Sequence, residues 1–172
     1  AAGLQLAALA LQAAGSAAER QAFVRSFAGS QRFVLDYLIE EVLQHQPPEV
    51  QGFLLNTSIL SRWTVETAAA LLEPPTNTVT HAAAIVEQLD RASLFLIPLD
   101  AERLWFRYHH LFAEALRSRL ARSGAEHVAA LHRRAADWFE RAGHPEPAID
   151  HALSAGDAER AQRLIREQAR PL

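Results

Sequence analysis

Helical periodicity runs through nearly all of this chain and is broken once, and that break limits the folds open to it. "LFLIPLD" (94–100) and "LWFRY" (104–108) are short and apolar or aromatic, and the polar turn Asp100-Ala101-Glu102-Arg103 separates them. The pattern predicts a β-hairpin. Pro98 has no amide hydrogen to give a ladder, so one edge of the hairpin must stay unpaired. Elsewhere apolar residues recur at helical spacing. Three short helices between 48 and 92, followed by a two-stranded wing, form the winged-helix arrangement.

Caps and breakers divide the rest. An Ala/Leu helix is expected over about 2–13, and Ser16 with Glu19 caps a second that Gly29 closes. Ser30 caps a third, whose face is Val34, Leu35, Leu38, Ile39 and Val42, and Pro47-Pro48 stops it. Pro48 then opens "PEVQGFLLNTSIL" from its first turn. Thr64 is expected to cap "VETAAALLE" with Glu66 as the acid of its first turn, and Thr80 to cap "HAAAIVEQLDRAS". Trp63 and Trp105 are expected as core anchors of the winged helix, and Trp138 as a packing residue of the last third.

The last third returns to helices. Residues 125–133 and 158–166 coincide at Ala125/Ala158, Glu126/Glu159, Leu131/Leu164 and Arg133/Arg166, an offset of 33. Helix–turn–helix repeats near that length are of tetratricopeptide type. Gly143 and Pro145 mark the turn, and Ala148 and Ala152 are spaced for close packing. The predicted fold is therefore mainly α: a helical segment over 1–46, a winged helix with one small β-hairpin over 47–124, and the start of tetratricopeptide-like helical hairpins over 125–172. Repeats of this kind bury their faces only against neighbours, so this reading expects more repeats beyond residue 172.

Composition excludes several chemistries. All 17 basic residues are arginine, and without a lysine a P-loop, a protein-kinase site or a Schiff base lacks its central group. There is no cysteine, which removes disulfides and thiolate metal sites and suggests reducing cytosol. "AAGLQLAALALQAAG" is too short to span a bilayer and has no basic flank, so neither a membrane anchor nor a signal peptide is expected. Serine hydrolysis lacks a nucleophile elbow, since Ser30 sits in "AGSQR". Glu40 and Glu41 are helix neighbours whose carboxylates diverge, so they cannot flank a glycoside. No catalytic residue is expected, and the chain is not read as an enzyme.

"RYHHLFAEALR" (107–117) places His109 and His110 at the strand-to-helix junction. Four roles fit: metal ligand, catalytic base, core residue, or sensor of a ligand held elsewhere. His110 and Glu114 lack a third ligand at helical spacing, and His127 and His132 point to different helix faces, so no metal site is expected. An imidazole at a helix N-terminus can donate a hydrogen bond to phosphate beside amides that favour anions. The bland alternative is one half-buried His and one solvated His. The arginines at 117, 119, 122, 133 and 134 read as a solvated face.

"RFVLDYLIEEVLQHQPPEVQGFLLNTSIL", "QLDRASLFLIPLD" and "LWFRYHHLFAEALRSRL" resemble the MalT-like regulators, ATP-dependent LuxR-family transcriptional activators of the STAND NTPase class. "LHRRAADWFERAGHPEPAIDHALSAGDAERAQRLI" resembles the start of their tetratricopeptide-like sensor region, and "AAGLQLAALAL" the helix that follows their Gly-Leu-Pro-type motif. The resemblance implies an excerpt of a cytoplasmic switch protein: ATP or ADP bound upstream, sensor repeats and DNA-binding domain downstream, and possible self-association of the whole. It implies partners within the same protein, the NTPase and sensor domains, with no cofactor in this excerpt. Many STAND proteins carry Met-His-Asp after the wing. Tyr108-His109-His110 occupies that place, which makes His109, with His110 beside it, the nucleotide-sensor candidate, while Tyr108 and His110 depart from the motif. The competing reading is a DNA-binding winged-helix regulator. Against it, the helix over 80–92 offers Glu87 and Asp90 to Arg91, and the wing sets Asp100 and Glu102 against Arg103 and Arg107, a neutral surface where duplex binding wants a basic one.

Overall fold

Pro48 begins helix α1 (Pro48–Thr57) in the computed structural model, which describes residues 40–74, 78–91 and 95–169. The helices expected over 2–13 and 16–29, the Ser30 cap and the face from Val34 to Ile39 lie outside the described residues. The chain divides into two units, Ala1–Gln51 and Gly52–Leu172. In the first, residues 40–44 are helical, and Leu43 and Val50 are buried. There Glu40 accepts from Gln44, and Glu41 meets His45 along the same helix face.

In the second unit, α2 (Val65–Ala70) is capped by Thr64, as expected, but through a different partner. Thr67, three residues on, closes the capping box: Thr64 Oγ1 accepts from the Thr67 amide at 3.3 Å and Thr67 Oγ1 from the Thr64 amide at 3.4 Å. Glu66 stands one position too early to reach back. Helix α3 (Val79–Arg91) starts before Thr80, because Thr78 is the cap and accepts from the His81 amide at 3.1 Å.

The hairpin pairs β1 (Leu96–Pro98) with β2 (Phe106–Tyr108), antiparallel, with Leu96 opposite Tyr108 and Pro98 opposite Phe106. β2 is paired on its other side as well: Trp63, between α1 and α2, exchanges two backbone bonds with Phe106 at 2.9 and 2.8 Å. Pro98 thus lies in the strand paired on one side only, where its missing amide costs nothing. Asp100 ties the wing turn by accepting from the Leu104 and Trp105 amides at 2.8 and 3.2 Å. Helix α4 (His110–Leu120) closes the winged helix.

Trp63 is fully buried, in ring contact with Phe53, Phe106 and Tyr108 at 5.4 to 5.8 Å. Trp105, expected in the core, is only half-buried, and its ring faces Arg62 and His144 instead. Its carbonyl accepts from the Leu99 amide at 2.8 Å near the wing turn, so its side chain lies at the edge of the wing.

A 3₁₀ turn (Ala121–Ser123) leads into three further helices, α5 (Ala125–Arg141), α6 (Pro145–Ser154) and α7 (Ala158–Gln168). Alanines set their spacing: Ala136, Ala152 and Ala161 are buried together against Ile149, and small side chains let the helices approach closely. Gly143 takes φ +75°, which lets the chain end α5 with two reversed bonds, His144 N–H to Phe139 O at 2.8 Å and Gly143 N–H to Glu140 O at 3.2 Å. Gly156 and Asp157 repeat the arrangement after α6. Arg160 on α7 bridges back to Asp137 and Glu140 on α5.

Candidate functional site

Two buried residues fix the strand-to-helix junction. Tyr108 ends β2 with its hydroxyl 2.7 Å from Thr57 Oγ1, and Phe112 lies in the first turn of α4 against the Tyr108 and Phe95 rings. Burial pushes the Tyr108 phenol up, with the Thr57 bond opposing, so the hydroxyl stays a neutral partner. His109 stands between these anchors. It is the N-cap of α4, one residue before the helix proper, with an extended backbone (φ −56°, ψ 135°). Its amide donates to Phe95 O at 2.8 Å, and its carbonyl accepts from Ala113 at 3.0 Å.

The His109 side chain caps nothing. Its Nδ1 is shut off from solvent without a hydrogen-bond partner, while the ring as a whole remains partly exposed. Burial pushes the imidazole below its ordinary value, and the neighbouring His110 and Arg107 push the same way, so at neutral pH the ring is uncharged. A neutral imidazole carries one N–H. With no acceptor near Nδ1, that proton is better placed on Nε2, in the residue that is the N-cap of α4. His110 is exposed, its ring centroid 4.5 Å from that of His109. The structure thus divides the pair into one half-buried, backbone-held ring and one solvated ring.

On α3, Glu87 pairs with Arg91, and Asp90 with Arg103 of the wing. Both acids that face outward are neutralised locally, and no excess positive charge is left there. Within the arginine series the exposed Arg117 donates to Ser58 O at 3.0 Å, and the half-buried Arg134 reaches Glu73 at 2.8 Å. A depression of about 930 Å³ between α5 and α7 is lined by Asp137, Glu140, Arg160 and Arg163, but these charges satisfy one another. Although burial pushes the Glu140 carboxyl up, Arg163 and Arg160 together hold it below the usual carboxylate range.

Two contacts gave no sign in the sequence. His132 on α5 and His151 on α6 bring their Nδ1 atoms to 2.8 Å, and His151 is stacked on Phe139. Trp105 meets His144 at 6.0 Å. Each joins residues far apart in the chain, so no local spacing announces it. Among the described residues, no group of three or more His, Cys, Asp and Glu is placed to hold a metal ion, and no helix is long and apolar enough to cross a membrane.

Residues 39–128 match the family described as the MalT winged helix domain. Over 167 residues, 97% of this chain, it is 38% identical to the serine/threonine-protein kinase PknK of Mycobacterium tuberculosis, of which it covers 14%. It is 35% identical over 167 residues to the HTH-type transcriptional regulator MalT of Klebsiella pneumoniae, covering 96% of this chain and 18% of that protein. To the MalT of Serratia proteamaculans the identity is 34% over the same shares. The chain spans less than a fifth of the length of these relatives.

Proposed function

Because the chain belongs to the MalT winged helix domain family, we propose that it is a non-catalytic regulatory segment of a signal-responsive transcriptional regulator. In this reading it couples sensor repeats, which begin with α5 to α7, to a nucleotide-driven switch upstream. Nucleotide is bound by that upstream NTPase domain, and DNA by a domain downstream. The protein works in the cytoplasm, with its own NTPase and sensor domains as partners and self-association as a property of the whole.

The observation that carries the reading is the partnerless Nδ1 of His109. An unsatisfied buried nitrogen costs roughly 1–3 kcal/mol, and unlike the fully buried Trp63, His109 combines it with a partly exposed ring at a helix N-cap. In this reading the proton sits on Nε2, and a neutral donor at a helix N-terminus suits a phosphate oxygen. The β-phosphate of ADP on the neighbouring NTPase domain is the proposed acceptor. A second support is that relatives named as a kinase and as a transcriptional regulator both contain this segment. Their outputs differ, so the shared part serves regulation better than either output.

In the full-length parent, His109→Ala is expected to raise basal activation and weaken ADP retention severalfold, while His110→Ala, at the exposed ring, changes both less. Basal activity and ADP dissociation unchanged by His109→Ala would remove the sensor role. The 172-residue chain alone should show no ATPase activity, no nucleotide affinity in calorimetry and no salt-dependent gel shift with duplex DNA. Tight ADP binding by the isolated chain would overturn the assignment of the nucleotide to the upstream domain.

A further inference from the structure

The winged helix and the α5–α6 hairpin are joined by one short linker. After the 3₁₀ turn the backbone passes through Gly124 at φ +101°, ψ 146°, a region open in practice only to glycine. A Cβ built there would meet nothing within 4 Å, so the linker is open on that side. Among the described residues, two contacts tie the hairpin to the winged helix. The first is α2 against α5, where Arg134 holds Glu73 at 2.8 Å and reaches Leu72 O at 3.5 Å. The second is the ring contact between Trp105, at the edge of the wing, and His144, at the hairpin turn, 6.0 Å apart and near perpendicular at 80°.

The second contact is held from both sides. The Arg62 guanidinium lies over the Trp105 ring, 5.3 Å from its centroid. Trp138 is stacked on His144 at 6.3 Å and 20°, and the His144 amide is bonded to Phe139 O. About 10 Å of helix separates Arg134 from the end of α5, so the two contacts together resist rotation that either alone would permit. The Arg134–Glu73 pair is well exposed and adds little. The rings carry more, since an edge-to-face aromatic pair is worth roughly 0.5–1.5 kcal/mol beyond its burial.

We propose that Trp105 and His144 form a latch that locks the helical hairpin against the wing, with Gly124 as the hinge about which the hairpin turns when the latch opens. As a route for a signal the latch rests on the coupling role proposed above; as a mechanical property of the chain it does not. Movement of the sensor repeats would break the ring contact at Trp105, the residue that enters β2 three positions before Tyr108.

The chain has no cysteine, so spin labels can be placed cleanly at Glu102→Cys on the wing and Gln162→Cys on α7. The parent should give one narrow distance distribution by pulsed electron resonance. His144→Gln and Trp105→Leu should each raise a second, displaced population roughly three- to tenfold. The double variant should do little more than either alone, because both remove the same contact. Gly124→Ala should shift the mean distance with the rings intact. His144 is exposed, so His144→Gln tests the latch even if Trp105→Leu weakens the fold. Arg133→Gln, which removes only the Arg133–Glu126 pair of α5, should leave the distribution as it is. Unchanged distributions in both latch variants, or an equal change in Arg133→Gln, overturn the latch and leave the His109 experiment unaffected.

Discussion

Trp63→Ala is expected to remove about 3–5 kcal/mol of stability, the usual range for emptying a fully buried large aromatic site. A domain of this size holds only roughly 5–15 kcal/mol in total, so the variant should show a much lower denaturation midpoint. The cost is concentrated because Trp63 joins α1 to β2. Its ring touches Phe53 of α1 and both Phe106 and Tyr108 of β2, and its backbone supplies the second pairing edge of β2. The Trp63 indole N–H is buried with no partner, which sharpens the test. Trp63→Phe keeps much of the ring volume and discards that unsatisfied donor, so its loss should be well under half that of alanine. Comparable losses in the two variants, or a loss below about 1.5 kcal/mol for alanine, would show that β2 is held some other way. Because β2 runs directly into His109, Trp63→Ala should also loosen the sensor candidate while sparing α5 to α7.

That dependence explains which parts of the site were legible in the sequence. The hairpin was readable because "LFLIPLD" and "LWFRY" break a helical pattern and carry their own turn residues. His109 was placed at the junction for the same local reason. Its orphaned Nδ1 was not, because that depends on how β2 and α4 enclose the ring. Caps were half legible. Thr64 was found, but the reciprocal partner is decided by position, and Thr67 outranks Glu66 by one residue. Thr78 and Thr80 carry the same capping hydroxyl, and nothing local separates them; the structure uses Thr78. Trp105 was misplaced because an aromatic in a strand-like run usually faces the core, whereas here it meets the hairpin turn. The acceptors that the exposed Arg117 and the half-buried Arg134 find, Ser58 and Glu73, lie far back in the chain and were likewise not legible. Periodicity and caps report contacts within a few residues; contacts between elements need the fold.

The His132–His151 pair, one such contact, makes the hairpin acid-sensitive. Burial lowers the His151 imidazole to about 4, helped by His132 beside it, and burial also lowers His132. The Nδ1···Nδ1 bond at 2.8 Å needs one ring as donor and the other as acceptor, so a proton added to the acceptor sets two N–H groups against each other. Unfolded, both rings have ordinary affinity near 6.5. Between that value and about 4 the unfolded chain binds more protons than the folded one, so stability is intact above roughly pH 6.5 and falls as pH drops through the window. At His151, 8% exposed, the full effect is about 3 kcal/mol. Glu140 changes stability only where carboxylates protonate, below about pH 4.5, so the interval from 6.5 to 4.5 reports mainly on the imidazoles. Denaturant midpoints should show a loss of roughly 2 kcal/mol across that interval. His151→Leu should flatten the slope, because His132 is half-exposed and can turn to water once its partner is gone. A slope as steep in His151→Leu as in the parent would place the acid sensitivity elsewhere. Since Phe139 packs against both His151 and His144, protonation of the pair should also disturb the hairpin turn that meets Trp105.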